Sequence, residues 1–282
     1  VIGFLEKALA HYKHKDTILV SFTGGEPAIW PDFERLCDYL AQRGISIGMT
    51  TNATVSPKFY EKTKNMYNFV SVSYHPEYER AERVLQNIAT LSGHCNLGVR
   101  IMAPPQKKLW DRAVAFRESL LNSDYKLRLT VEFVRLVGGF GTKDTYPIRY
   151  SAEQEDFLED NQTEFVLKGD VPPVEPCVIS SDGMTQNGDV FRLHPTDLVN
   201  LGYAHFKGWD CHIGLDQLFI NERGLIWRAG CQVGGEIGHI FDENIQFPTK
   251  PILCNKGFCH CTTDIVTKKT KPTQSTGMPL ST

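Results

Sequence analysis

The sequence of 282 residues is long enough for one large domain, or for a medium domain with an appendage. Its 41% hydrophobic and 22% charged residues are the composition of a globular protein that buries a sizeable core. Thirty Lys and Arg against 33 Asp and Glu leave a net charge of −3, which argues against a general nucleic-acid-binding surface. No apolar run approaches the roughly 18 residues of a membrane span, and no segment reads as a secretory leader, so a cytoplasmic protein is expected. The sequence starts at Val1 inside a predicted helix and is read as a fragment lacking its natural N-terminus.

From residue 1 to about 139 helix and strand patterns alternate. Residues 1–12 predict a helix with Phe4, Leu5, Leu9 and Tyr12 on its apolar face. The run Thr17–Phe22 predicts a buried parallel strand, ended by Thr23-Gly24-Gly25. Pro31 suits the first turn of the next helix, whose Phe33, Leu36, Cys37 and Leu40 fall at i, i+3, i+4 and i+7 before Gly44 stops it. The cycle repeats: strand 45–50, a helix opening at Ser56-Pro57, strand 69–74, helix 80–91, strand 96–102, a helix carrying Leu109, Trp110, Ala113, Phe116 and Leu120, and strand 127–137. Short connections between such strands imply right-handed crossovers and a parallel sheet. With a strand ahead of the opening helix this makes an α/β fold, a partial (β/α)6 TIM-like barrel whose first strand is missing. No G-x-G-x-x-G follows the first strand, which weighs against a dinucleotide-binding fold.

After Gly138-Gly139 the periodicity fades. Residues 140–205 are expected to bridge, with an acidic helix over 152–164 among proline-rich and turn-rich segments. Residues 206–265 form a small Gly- and Cys-rich α+β module, in which two apolar runs, Leu218–Ile220 and Leu225–Trp227, flank a Gly224-ending turn and predict a β-hairpin. Trp209, Phe219 and Trp227 are its expected core. Residues 266–282 have almost no core formers and are expected to be a disordered tail.

Cysteine spacing says more than the count of eight. Five lie in the small module: Cys211, Cys231, Cys254, Cys259 and Cys261. Clustered thiols without secretory context suggest a metal site rather than a disulfide framework, and Cys259 and Cys261 are too close in sequence to pair well. Four thiolates, or three with His212 or His260, suit zinc, and spacing alone leaves zinc and iron–sulfur equally open.

In parallel β/α folds ligands sit at the carboxyl ends of the strands. Those ends carry Thr23-Gly24-Gly25-Glu26-Pro27, Thr51-Asn52, Ser73-Tyr74-His75 and, within its strand, Arg100. Two glycines let the backbone approach a ligand, and Glu26 supplies a carboxylate suited to an ammonium group. The alternative is a plain strand-to-helix turn with Glu26 as a helix cap. His75, His194 and His239 read as ordinary hydrogen-bonding histidines, and Glu132 and Arg135 fall on opposite faces of their strand.

Gly24-Gly25-Glu26-Pro27 at a barrel strand end resembles the glycine-rich motif of the radical S-adenosylmethionine superfamily, with Thr51-Asn52 at the next strand end. The resemblance implies that Gly24, Gly25, Glu26, Pro27 and Asn52 hold the cofactor, the motif binding its methionine amino group, with Ser73 at the ribose and Arg100 at the carboxylate. It further implies reductive cleavage of S-adenosylmethionine at a 4Fe–4S cluster to a 5′-deoxyadenosyl radical, with electrons from a donor such as flavodoxin or ferredoxin. The family's C-x3-C-x2-C occurs nowhere in the sequence. The cysteine pattern from Cys211 to Cys261 resembles the SPASM and twitch modules of that superfamily, which implies one auxiliary 4Fe–4S cluster, since five thiols are too few for two. Such modules imply a peptide substrate. The competing expectations are a non-catalytic or hydrolytic β/α protein with structural zinc, and a cluster-less relative that binds only a peptide or S-adenosylmethionine.

Overall fold

The structure, a computed structural model, describes residues 1–78, 80–138, 146–161, 163–173, 181–184, 190–193, 195, 198, 203–259 and 261–271. The chain divides into two compact units, one of Lys15–Cys177 and the other of Val1–His14 with Val178–Thr282.

The first unit is a mixed α/β sheet alternating with helices, as in a partial α/β barrel. Its elements are β1 (Leu19–Phe22), α2 (Phe33–Ala41), β2 (Ser46–Thr51), α3 (Pro57–Thr63), β3 (Phe69–Tyr74), α4 (Ala81–Leu91), β4 (Asn96–Ala103), α5 (Lys107–Asn122) and β5 (Leu127–Arg135). A short pair, β6 (Val137–Gly138) with β7 (Tyr146–Pro147), precedes α6 (Ala152–Asp160) and β8 (Glu164–Lys168). The sheet order is β1-β2-β3-β4-β5-β8. Its first five strands are parallel, as the spacing predicts, but β8 runs antiparallel to β5. A sixth strand of this sheet thus follows the β/α series, while α1 (Ile2–His11) opens the chain. Up to Cys177 the expected bridge joins the sheet unit, and its acidic helix is shorter than expected, opened by a capping box of Ser151 and Gln154.

Strand alternation divides this sheet sharply. One face carries Ile47, Met49, Val70, Val72, Tyr74, Val99, Ile101, Leu129, Val131 and Phe133, all buried. Helices pack there: Phe33 meets Phe22 at 5.0 Å, Phe116 stacks on Tyr74 at 3.6 Å, and Phe157 meets Phe133 at 5.2 Å. The other face carries Ser21, Gly48, Thr50, Ser71, Ser73, Gly98, Arg100, Thr130 and Glu132, in register from strand to strand. A parallel sheet covered by apolar packing on both sides reads as continuous hydrophobic strands. This one keeps a polar face.

The second unit holds α1, the pair β9 (Ser181–Met184) and β10 (Val190–Leu193), and two three-stranded sheets. One is β15 (Ile252–Leu253), β11 (Asp210–Cys211) and β16 (Lys269–Thr270), and the other β12 (Phe219–Ile220), β13 (Leu225–Trp227) and β14 (Glu236–His239). The predicted hairpin is β12–β13, with Gly224 at φ +82° and its missing Cβ position 2.8 Å from His239 Nε2. Helix α1, expected at the head of the sheet domain, clusters here instead. Lys7 donates to the carbonyls of Asp242 and Glu243, Tyr12 Oη donates to Gly214 O at 2.6 Å, and Phe247 meets Phe4, His11 and Tyr12. The core around the cysteines is Cys211, Ile213, Ala229, Val233 and Cys254, not the expected Trp209, Phe219 and Trp227, which are only half-buried. The expected tail beyond residue 271, Cys177, His194 and His260 lie outside the described residues. Among the described residues no helix is long and apolar enough to cross a membrane.

Candidate functional site

The rim at the ends of β1 and β2 is the most tightly specified polar feature of the sheet unit. After β1, Gly24 and Gly25 take φ +79° and +56°, the left-handed region that glycine enters without cost. No atom lies within 4 Å of where a Cβ would stand on either, so conformation and not crowding requires glycine here. Outside the sheet ladder, no hydrogen bond among the described residues ends on the backbone of Gly24 or Gly25. Pro27 then opens a short 3-10 turn, Pro27–Ile29, which Glu26 caps through Ala28 N at 3.2 Å. The alternative role of Glu26 as a cap is therefore real, but for this turn and not for α2.

Glu26 does more than cap. Its Oε2 accepts from Asn52 N at 2.7 Å, and its Oε1 from Thr51 Oγ1 at 2.7 Å. Thr51 Oγ1 also stands 2.8 Å from Tyr60 Oη and accepts from Ala53 N at 3.0 Å. A hydroxyl has one proton, and Thr51 gives its own to the acceptor Glu26, so Tyr60 must be the donor in their contact. Burial pushes the Tyr60 hydroxyl well above the usual phenol range, which keeps it a donor. Glu26 is thus a strut joining two strand ends, with one acceptor position left on Oε2.

The loop after β2 is strained. Ala53 sits at φ +52° and is fully buried, a conformation that costs a non-glycine residue roughly 1–2 kcal/mol. Asn52 Oδ1 accepts from Thr54 N and Oγ1 at 2.9 and 2.6 Å, closing an Asx turn. From α4, Asn87 Nδ2 donates to Ala53 O at 2.8 Å and Val55 O at 3.0 Å. Nothing in the sequence around Tyr60 marks it for this role. Asn87 had a signal: it interrupts the apolar stripe Val84, Ile88, Leu91.

Ser73, Arg100 and Glu132 occupy one rung across β3, β4 and β5. Arg100 Nε donates to Glu132 Oε1 at 2.7 Å, and Glu132 is only 8% exposed, so the pair is an inner ion pair. Thr163 Oγ1 donates to Glu132 Oε2 at 3.3 Å. Arg100 is three strand spacings from the glycine turn, about 14 Å along a flat sheet. On the same polar face Ser71 Oγ is buried without a hydrogen-bond partner among the described residues. Arg135, by contrast, pairs with Glu155, and His75 lies near Tyr78.

In the second unit the structure gathers the cysteines without closing them into a ligand set. Cys211 and Cys254 share one core cluster with Cys231 packed against it, and Cys259 packs against a neighbouring one. Cys261 Sγ and both Asp264 carboxylate oxygens stand 3.7 Å from the Cβ position missing at Gly230. Burial raises the thiols of Cys211 and Cys261, and lifts those of Cys231 and Cys259 to about 12. Yet among the described residues no group of three or more His, Cys, Asp or Glu side chains is arranged to hold a metal ion. His212 is turned to Asp216 at 3.6 Å. The residue sequence missed is Asp264: 2% exposed, it accepts from Gln217 Nε2 at 2.8 Å, Gly230 N at 3.3 Å and Cys231 N at 2.7 Å.

No family model matches the chain, and no curated protein does. Among solved structures it is similar to SuiB of Streptococcus suis, at 14% identity and a TM-score of 0.45, over 86% of this chain. The chain spans 56% of the length of that protein. A likeness at this level assigns the chain no activity.

Proposed function

We propose that this chain binds S-adenosylmethionine at the rim of β1 and β2 and is part of a radical S-adenosylmethionine enzyme. One observation carries the reading: two consecutive left-handed glycines at a parallel strand end, with open space beside them and backbone groups unpaired outside the ladder, are braced from behind by Glu26. The ammonium of the ligand's methionine end would meet the Gly24–Gly25 carbonyls and the remaining acceptor position of Glu26. Asn52 is held with its Oδ1 engaged, so its amide protons are what it offers a ligand. Ser73 and Arg100 stand on the polar face, and Arg100, gripped at Nε, would meet an anionic group with its terminal guanidinium nitrogens.

A 4Fe–4S cluster beside bound S-adenosylmethionine would supply reductive radical chemistry toward a substrate. No C-x3-C-x2-C occurs in these 282 residues, so the residues that would hold that cluster are not among them. What this chain contributes is binding and orientation. A peptide substrate and a flavodoxin- or ferredoxin-type electron donor belong to the same reading, for the whole enzyme. For the cysteine unit the donor chemistry supports a metal and the described geometry does not enclose one. Iron, sulfide and zinc analysis of anaerobically purified protein separates a cluster from a structural zinc.

Calorimetric titration with S-adenosylmethionine tests the rim. The expected result is saturable binding that Gly25→Val weakens at least tenfold, because a β-branched residue cannot hold φ +56°. Absence of binding to the unaltered chain, or equal affinity in Gly25→Val, overturns the reading.

A further inference from the structure

Helix α4 turns Val84, Asn87, Ile88 and Leu91 inward, and Asn87 is the one polar side chain among them, 0% exposed. A leucine there would complete an apolar stripe. Instead both protons of the Asn87 amide are committed to carbonyls of the loop after β2, those of Ala53 and Val55. The amide oxygen is buried without a partner among the described residues, an arrangement that costs stability and that packing alone gives no reason to keep.

The two carbonyls explain it. Ala53 holds a left-handed backbone that alanine resists, and its N–H points at Thr51 Oγ1 while the preceding peptide points Asn52 N–H at Glu26 Oε2. With Asn87 removed, two buried carbonyls lose their donors and Ala53 is free to leave φ +52°. That rotation carries Asn52 N–H off Glu26, and the brace behind Gly24 and Gly25 goes with it. The order of dependence runs from α4 to the loop, then to Glu26, then to the turn.

We propose that Asn87 is a positioning residue for the rim: acting through Ala53, it sets the Asn52–Glu26 contact and so the geometry that receives the ammonium end of the ligand. This rests on the reading of the rim as an S-adenosylmethionine site. Two ligands separate a positioning role from a merely structural one. S-adenosylmethionine carries the aminoacyl end; 5′-methylthioadenosine has the nucleoside and sulfur without it. Asn87→Asp keeps the side chain's size but withdraws both donors. It is expected to weaken S-adenosylmethionine at least tenfold while leaving 5′-methylthioadenosine within twofold of the unaltered chain. Asn87→Ser, smaller and with one donor, carries the same comparison should the first variant not fold, with an intermediate loss expected. Faster hydrogen exchange at the Asn52 amide should accompany the loss.

Equal weakening of both ligands, or unchanged S-adenosylmethionine affinity in a folded variant, overturns the positioning role and leaves the site standing. An unaltered chain that binds neither ligand overturns the site, and this inference with it.

Discussion

Each unit of the molecule fixes a loop with a single carboxylate, and the two cases end differently. Glu26 gathers Ala28 N, Asn52 N and Thr51 Oγ1 at the strand ends of the sheet. Asp264 gathers Gly230 N, Cys231 N and Gln217 Nε2 beside the cysteines. At the rim, the loop beside the carboxylate keeps its glycine backbone unpaired. At Asp264 the glycine backbone is itself the partner. A loop whose polar groups are already spent is a scaffold, and whatever chemistry it serves must come from side chains, here the thiols. A loop held rigid with unspent backbone groups is prepared for a ligand.

The largest effect expected from breaking this pair is Asp264→Ala. Asp264 is 2% exposed, so its loss strands two backbone donors and an amide where water cannot easily replace the carboxylate. At about 1–3 kcal/mol for each buried group left unpaired, a loss of about 3 kcal/mol or more is expected in urea denaturation. Asp264→Asn keeps one acceptor oxygen and should recover part of it. A loss under about 1 kcal/mol would mean that Asp264 does not hold the loop. Glu26→Ala is the matching experiment at the rim. Glu26 itself is half-buried where Asp264 is 2% exposed, so water can take over its place more readily, and about 1–2 kcal/mol is expected in the same assay, with ligand binding lost outright. If Glu26→Ala proved the costlier of the two for stability, the distinction between scaffold and prepared loop would fail.

How much of this was legible beforehand follows the same division. The β/α series could be read because each strand and helix advertises its own period: β3 spans Phe69–Tyr74 as its apolar run predicts, and α4 and β4 fall within a residue of expectation. Strand β8 escaped because Phe165 and Leu167 are exposed at a sheet edge while only Val166 is buried, so neither alternation nor a continuous apolar run marks it. The rim could be read because its residues are neighbours in sequence. Asp264 could not, since its partners lie 33 and 34 positions away on another loop and a lone Asp beside threonines looks like any helix start. The placement of α1 with the second unit likewise rests on contacts more than 200 residues distant in sequence.

A finer test of the prepared loop is Gly24→Ala together with Gly25→Ala. Because nothing lies within 4 Å of either Cβ position, neither substitution creates a clash, and the cost is the left-handed backbone alone, about 1–2 kcal/mol each. Thermal unfolding should register that modest loss while calorimetry registers a larger one in ligand affinity. A stability loss well above this would show that the turn is packed against something and would remove the argument for open space.

The smallest expected effect compares the thiols of the two units. Cys37 and Cys95 are 0% and 1% exposed, and burial lifts both to about 12 from an ordinary value of 9.0. At pH 8 roughly one sulfur in ten thousand would then be a thiolate, the form that reacts with iodoacetamide. Cys231 and Cys259 are lifted to about 12 as well, but they are half-buried. Thiolate fraction is therefore matched and access differs, so mass spectrometry should find slow labelling at Cys231 and Cys259 and none at Cys37 and Cys95. The sign of the pH dependence follows from the direction of the shift. The folded state favours the neutral thiol, so the stability that Cys37 and Cys95 contribute is whole below about pH 9 and is lost as pH rises toward 12. Labelling of this pair should begin only where the sheet unit starts to open. Modification of Cys95 at pH 8 in a protein that still shows a full cooperative transition would break the link between burial and reactivity in the sheet, and with it the claim that the apolar face is the closed one.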